Sequence, residues 1–335
     1  MKMMRYNHSM EAVGLARLGV LLSGNRVGDM RAAYARYLVE ERKDPQGREI
    51  AALRMQPHVA QFLATGAPGW EAVRIACDYL EKLDGGDAKG LDGEPLWISL
   101  DETRLHATVK PSKVIAVGRN YAEHLKEVGV KIDMAVPSAW IKASSTIIGP
   151  TRDIEKPSFV TEMDYETELA IVIGKRCKNV PESRAYDVIA GYTVMNDVSA
   201  REIARIERKE GNQLLGKMFD GFAPMGPWLV TRDEVPDPMN LRIKTRVNGA
   251  VRQNGNTSDM IWPIPKLIAY LSQMTLEPGD VISTGTPSGV AAGRKPDQPS
   301  WFLQPGDVLE SEVEGVGTMR NKIIEDSAKD RSWAW

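Results

Sequence analysis

From "KPSKVIAVGRNY" (residues 110–121) onward, glycine and proline cut the chain into short apolar runs: "KVIAVG", "ELAIVIG", "GYTVMND", "WLVT", "LRIKTRVNG", "DVISTG" and "DVLESEVEG". Runs of this length, rich in β-branched residues and bounded by turn formers, are strand signals. Only three helical stretches interrupt them: "NYAEHLKEV", "SAREIARIERKE" and "IPKLIAYLSQM". Regular alternation of strand and helix is absent, which argues against a Rossmann or TIM architecture. The expected class is α+β and β-rich, a mixed β-sandwich roll over residues 111–335. Residues 1–110 read differently. "DMRAAYARYLVEERK" and "GWEAVRIACDYLEKL" have helical periodicity, the first placing Met30, Tyr34, Tyr37 and Leu38 near one face. Loops such as "DGGDAKGLDGEP" separate such stretches, and we expect a smaller α+β accessory domain here.

Bulk properties narrow the partners. A net charge of −2 leaves no electrostatic footprint for nucleic acid or for a membrane surface. No run of about eighteen apolar residues and no signal peptide is seen, so a cytoplasmic protein is expected. The two cysteines, Cys77 and Cys177, form no metal-binding spacing or disulfide framework. Four histidines occur, without an HExxH pattern or a pair at helical spacing. Any metal must therefore be held mainly by oxygen.

"TEMDYETELAIVIG" (161–174) places Glu162, Asp164, Glu166 and Glu168 on alternate positions just before an apolar run. In a continuous strand they would share one face. Carboxylates entering a core must be neutralised. Glu166 and Glu168, nearest the apolar run, could chelate a divalent cation such as Mg²⁺ or Mn²⁺. A solvated acidic strand end fits the same pattern. Glu162 and Asp164 are expected further out, facing solvent or basic neighbours.

Further segments offer chemistry. "GYTVMNDVSAREI" reads as a strand ending at Asn196 and Asp197, then a helix opened by a Ser199/Glu202 capping box. Asp197 would sit at that junction, with Arg201 one turn on and able to bind an anion bidentately; a plain cap with a surface arginine is the alternative. His124 and Glu127 are spaced i, i+3 in "NYAEHLKEV", which suits a carboxylate-oriented general base but also occurs on solvated helices. The loop "GDVISTGTPSGV" could present backbone amides and hydroxyls to a carboxylate, or be an ordinary turn. Lys217 in "LLGKMFDGFAP" has apolar neighbours and needs an anionic partner unless its tip reaches solvent.

Together these segments resemble the fumarylacetoacetate hydrolase family. The likeness is carried, in order, by "VIAVGRNYAEHLKE", "DYETELAIVIGK", "GYTVMNDVSARE", "LLGKMFDGFAPMGPWLVT", "VNGAVRQNGNTSDMIW", "MTLEPGDVISTGTPSGV" and "LQPGDVLESEVEGVGTMRN", spanning roughly 111 to 323. Residues 1–110 look like the leading domain of longer bacterial members. The resemblance implies Glu166, Glu168 and Asp197 as metal ligands, His124 and Glu127 as a catalytic dyad in a helical lid, and Lys217 as the active-site lysine. It also implies Arg201, Gly285 and Thr286 at the substrate, with Tyr121 and Lys142 as further pocket residues. The implied cofactor is Mg²⁺, in some members Mn²⁺ or Ca²⁺, and the implied assembly a homodimer.

The activity implied is C–C bond hydrolysis in a 2,4-dioxo acid (acylpyruvate or fumarylacetoacetate type). His124, oriented by Glu127, would activate water, and a pyruvate-type enolate would leave, held by the metal and Lys217. The same chemistry serves decarboxylation, tautomerisation, isomerisation or hydration of oxaloacetate and unsaturated 2-oxo diacids of aromatic catabolism. Three departures border the substrate region. The family glutamine is Ala204, the serine after the lysine is Met218, and "AAGRKPDQPSWF" replaces a short glycine turn.

Overall fold

A computed structural model describes residues 1–11, 16–83, 88–129, 134–294 and 299–326. Parts of the expected "DGGDAKG" and "AAGRKPDQPSWF" loops, and the end of the 111–335 region, lie outside the described residues. The fold is α+β and β-rich. One sheet of twelve strands carries the order Trp97–Ser99, Arg26–Asp29, Arg17–Leu22, Lys2–His8, Ala223–Thr231, Ile189–Asn196, Thr167–Ile173, Val281–Ser283, Val114–Gly118, Ser138–Lys142. Two short strands, Thr103–Leu105 and Ile147–Ile148, pair alongside. A second sheet orders Ala250–Asn256, Arg242–Val247, Val308–Val313, Gly317–Glu325 and Ile154–Lys156. The large sheet is mixed, because Val281–Ser283 runs parallel to Val114–Gly118 while Thr167–Ile173 is antiparallel to both its neighbours.

Thr167–Ile173 explains the layering. Every residue in it is buried, as a strand covered on both faces requires. Leu169, Ile171 and Ile173 pack with Tyr192 and Val194, and with Ile243, Val313 and Met319 of the second sheet. Ala170 and Val172 join instead a cluster with Met30, Leu63, Val73 and Leu80 of the N-terminal helices. Alternate side chains thus feed opposite cores, as a two-residue period dictates. The helices Met30–Arg36, Gly47–Arg54, Val59–Ala64 and Ala67–Lys82 form one outer layer and the second sheet the other.

Two sequence expectations change. Helical structure over residues 30–41 is α-helical only over Met30–Arg36 and continues as a wider π-type turn over Tyr37–Glu41. Strand pairing also crosses position 110, since Met3 of Lys2–His8 pairs with Leu229 of Ala223–Thr231. The N-terminal region is α+β as expected, and its strand Lys2–His8 shares a sheet with the β-roll. Among the described residues no helix is long and apolar enough to cross a membrane.

Candidate metal centre and its cavity

The antiparallel register of Thr167–Ile173 with Ile189–Asn196 builds the centre. Thr167 pairs with Asn196, so Glu166 and Glu168 on one strand end lie beside Asp197 on the other. Two hydrogen bonds lock this end: Asp197 N donates to Glu166 O at 2.8 Å, and Glu166 N to the Asn196 side-chain oxygen at 2.9 Å. Oxygens of Glu166, Glu168 and Asp197 all lie within 4.8 Å of one another, and all three residues are buried.

Buried cations surround two of the three. Lys217 Nζ donates to Glu166, and to Asp197 Oδ2 at 2.8 Å. Lys142 Nζ donates to Asp197 Oδ1 at 2.5 Å. Arg201 donates through Nη2 to Glu166 at 2.5 Å and through Nε to Asp164 at 2.7 Å. Burial alone would raise the Glu166 carboxyl, but Arg201 and Lys217 outweigh it and hold it well below the usual range. Glu168 differs. Its partners are the Ser283 hydroxyl and the Gly285 amide. Burial, then the charges of Asp197 and Glu166, push it well above the usual range. A buried carboxylate with two like-charged neighbours and no ammonium or guanidinium of its own is what a divalent cation would neutralise. The all-oxygen donor set suits a hard ion of the Mg²⁺ or Mn²⁺ kind.

Several expected residues sit differently from their sequence reading. Asp164 is fully buried, and of the two surroundings expected for it the structure shows the basic neighbour, Arg201, and not solvent. The four acids do not lie on one strand: Met163–Asp164 pairs with Ser199–Ala200, and the chain turns at Tyr165 and Glu166 before the long strand begins. Asp164 consequently points at Arg201 and also accepts the amides of Ala291 and Ala292 at 2.7 and 3.0 Å. The Ser199/Glu202 capping box does not form. The Ser199 hydroxyl donates to Asp197 O, and Glu202 accepts the Thr161 and Glu162 amides. Arg201 opens the helix Arg201–Lys209, with Nε and Nη2 already on protein carboxylates. Gly285 donates its amide to Glu168, and only the adjacent Thr286 lines the cavity. Tyr121 is buried against the same core, its hydroxyl without a hydrogen-bond partner among the described residues.

Asp164→Ala should leave a buried Arg201 with half its compensation and three amides, those of Tyr165, Ala291 and Ala292, without their acceptor. The expected cost is about 3–5 kcal/mol, read as a lower urea midpoint of the cation-free protein. An unchanged midpoint would show that Asp164 does not hold Arg201.

A cavity of about 420 Å³ opens onto the centre. The helix Ala122–Glu127 contributes His124 and Glu127 to its wall, which Glu166, Glu168, Lys217 and Thr286 also line. His124 Nδ1 lies 3.6 Å from Glu127 Oε2, a charge contact too long for a hydrogen bond. Glu127 is anchored separately, accepting the Gly289 amide at 2.9 and 3.1 Å. Gly289 has φ +104°, and a Cβ there would meet Arg252 O at 2.3 Å, so glycine is required. Sequence reasoning missed Trp140, whose ring lies 5.3 Å from the Lys217 ammonium. It also missed Ser283, which sat within the quoted "DVISTG" run and faces Glu168. The outer wall is basic: Arg119, Arg208 and Arg294 line it, none ion-paired to a carboxylate among the described residues.

Residues 113–324 match the family described as Fumarylacetoacetate (FAA) hydrolase C-terminal. A human mitochondrial protein named oxaloacetate tautomerase FAHD2A is 46% identical over 224 residues, 66% of this chain and 69% of that protein. The fumarylacetoacetate hydrolase of Exiguobacterium antarcticum superposes with a TM-score of 0.72 at 32% identity, covering 97% of this chain and 100% of that one. A maleylpyruvate hydrolase from Sphingobium sp. SYK-6, solved with manganese(II) and pyruvate, gives a TM-score of 0.69 at 29% identity over 98% of this chain and 100% of that one.

Proposed function

The chain belongs to the fumarylacetoacetate hydrolase family, and from that premise we propose that it is a divalent-metal-dependent hydrolase cleaving a C–C bond in a 2,4-dioxo acid. The observation that carries this reading is one cavity lined by the His124 imidazole together with Glu166 and Glu168, two members of the three-carboxylate cluster completed by Asp197. Glu166, Glu168 and Asp197 would hold the ion, with Mg²⁺ as the first candidate and Mn²⁺ as the ion found with the Sphingobium hydrolase. A bound divalent ion supplies Lewis-acid stabilisation of negative charge developing on the oxygens of a 2-oxo acid.

The protein's own groups do the rest. His124, with Glu127 behind Nδ1, presents Nε2 to accept a proton from water directed at the distal carbonyl. The Glu127 carboxylate stabilises the imidazolium that results. Lys217, kept protonated because Asp197 and Glu166 outweigh its burial, sets a positive charge beside the departing 2-oxo fragment. Thr286 lines the cavity, its hydroxyl held by the protein through a bond donated to Thr167 O and one accepted from Gln253 Nε2.

A second reading rests on the basic outer wall. Arg119, Arg208 and Arg294 would favour a substrate with a second carboxylate, such as oxaloacetate or an unsaturated 2-oxo diacid. On such a diacid the same site would serve as a tautomerase or isomerase, the activity named for the human relative. An ultraviolet assay with Mg²⁺ or Mn²⁺ separates the two. Loss of enolic absorbance with pyruvate release from acylpyruvates supports hydrolysis, while a double-bond or keto–enol shift without water consumption supports the second reading. Activity that survives EDTA would end the metal assignment.

A further inference from the structure

A second cavity, of about 350 Å³, shares no lining residue with the catalytic one. Its walls come from three parts of the chain. Arg5 lies on the strand Lys2–His8, and His58 directly precedes the helix Val59–Ala64. Arg104, His106 and Lys110 come from the segment leading into the family domain, and Arg152 from inside that domain. Among the described residues no aspartate or glutamate lines the cavity.

Solvated basic residues on a surface would explain Lys110 and Arg152, which are exposed. They do not explain Arg5, which is only 4% exposed. A guanidinium withdrawn from water is costly unless an anion compensates it. Among the described residues Arg5 has only two neutral partners, the carbonyls of Pro57 and Ala107, each at 3.3 Å. Burial lowers its pKa with no carboxylate acting in the other direction. The imidazoles repeat the pattern. Burial and then Arg5 depress both His58 and His106, with Lys110 acting on both and Arg104 and Arg152 adding to His106. The field inside the cavity is positive from several directions and, among the described residues, has no internal counterion.

We propose that this cavity binds a small oxyanion of charge −2 or greater, a phosphate or a polycarboxylate, between Arg5, His106, Lys110 and Arg152. Oxygens of such an anion match guanidinium and imidazole donors. Because the walls belong to both the N-terminal layer and the family domain, the bound anion would tie the two together.

The test uses the full chain without added metal and inorganic phosphate or tricarballylate as probe, followed by calorimetry and by NMR of the histidine rings. Saturable binding is expected, with the stronger probe identifying which oxyanion class fits. The rim variant K110A/R152A should weaken it tenfold or more, whereas R208A in the catalytic cavity should leave it unchanged. Bound phosphate should also shift the titrations of His58 and His106 to higher pH, a change that K110A/R152A reduces. Absence of saturable binding up to about 10 mM would overturn the proposal. So would binding that R208A removes and K110A/R152A does not, because the anion would then sit in the catalytic cavity. These readouts involve no turnover of a 2-oxo acid, so failure here is separable from failure of the proposed hydrolase activity.

Discussion

His124→Ala should lower kcat for C–C hydrolysis by about 10²–10⁴-fold, the usual contribution of a positioned general base, while divalent-cation affinity measured by calorimetry stays near wild type. The two effects separate because His124 stands on the helix Ala122–Glu127, outside the three-carboxylate cluster. The 3.6 Å gap to Glu127 and the unpartnered Nδ1 leave the dyad open; such contacts in free enzymes often tighten only with substrate bound. Glu127→Gln should keep the amide contact to Gly289 yet lose the charge behind the imidazole, giving a smaller loss of kcat. Wild-type hydrolysis by His124→Ala would remove the histidine from the mechanism. Loss of cation binding in that variant would move it into the metal centre.

Glu168→Gln should separate binding from stability in opposite directions. Removing one of three anionic donors should weaken cation binding by at least the roughly 10–100-fold that changes to outer-shell partners cost. The cation-free protein, in contrast, should become more stable. In the wild type Glu168 faces Asp197 and Glu166 with no cation of its own, and its carboxyl is pushed well above the usual range. A carboxyl with a raised folded-state pKa holds its proton more tightly folded than unfolded. Its contribution therefore turns unfavourable as pH rises beyond the ordinary carboxylate range. Glutamine does not titrate, and its amide oxygen can keep the bonds from Ser283 and Gly285. The difference in unfolding free energy between variant and wild type should thus grow with pH, read from urea unfolding in EDTA. A variant less stable than wild type at every pH would refute the picture of an uncompensated charge.

Much of this architecture is legible in the sequence where local chemistry decides it. Apolar runs between glycine and proline mark Val114–Gly118, Thr167–Ile173 and Ile189–Asn196, because a strand covered on both faces must be largely apolar, whereas Val308–Val313 is marked by the alternation of a strand buried on one face. The helices Ala67–Lys82 and Ile264–Leu271 follow from their periodicity. The strand Lys2–His8 escapes such reading: "KMMRYNH" holds no β-branched residue, and its pairing depends on a strand far along the chain. Alternation likewise could not place Asp164 in the interior, although a basic neighbour was expected for it, because alternation presumes one unbroken strand where the chain makes two. Lys142 and Arg201 show the same limit, as their carboxylate partners are distant in sequence and become neighbours only in the folded chain. The apparent capping box failed for a related reason. Glu202 is drawn to the amides of Thr161 and Glu162, bonds that a local motif cannot anticipate.

The pairing of Lys2–His8 with Ala223–Thr231 bears on how the chain is made. The strand Lys2–His8 finds its distal neighbour only after more than half of the family domain has been synthesised, so the N-terminal layer cannot complete its sheet early. Folding dominated by such a distant pairing is slow compared with folding from local contacts. Until the later strand arrives, the edge of Lys2–His8 that will receive it presents unpaired amides and carbonyls, the arrangement that invites mispairing with other nascent chains. Expression as separately folded halves divided near residue 110 should therefore give an N-terminal fragment that aggregates, while the intact chain stays in solution.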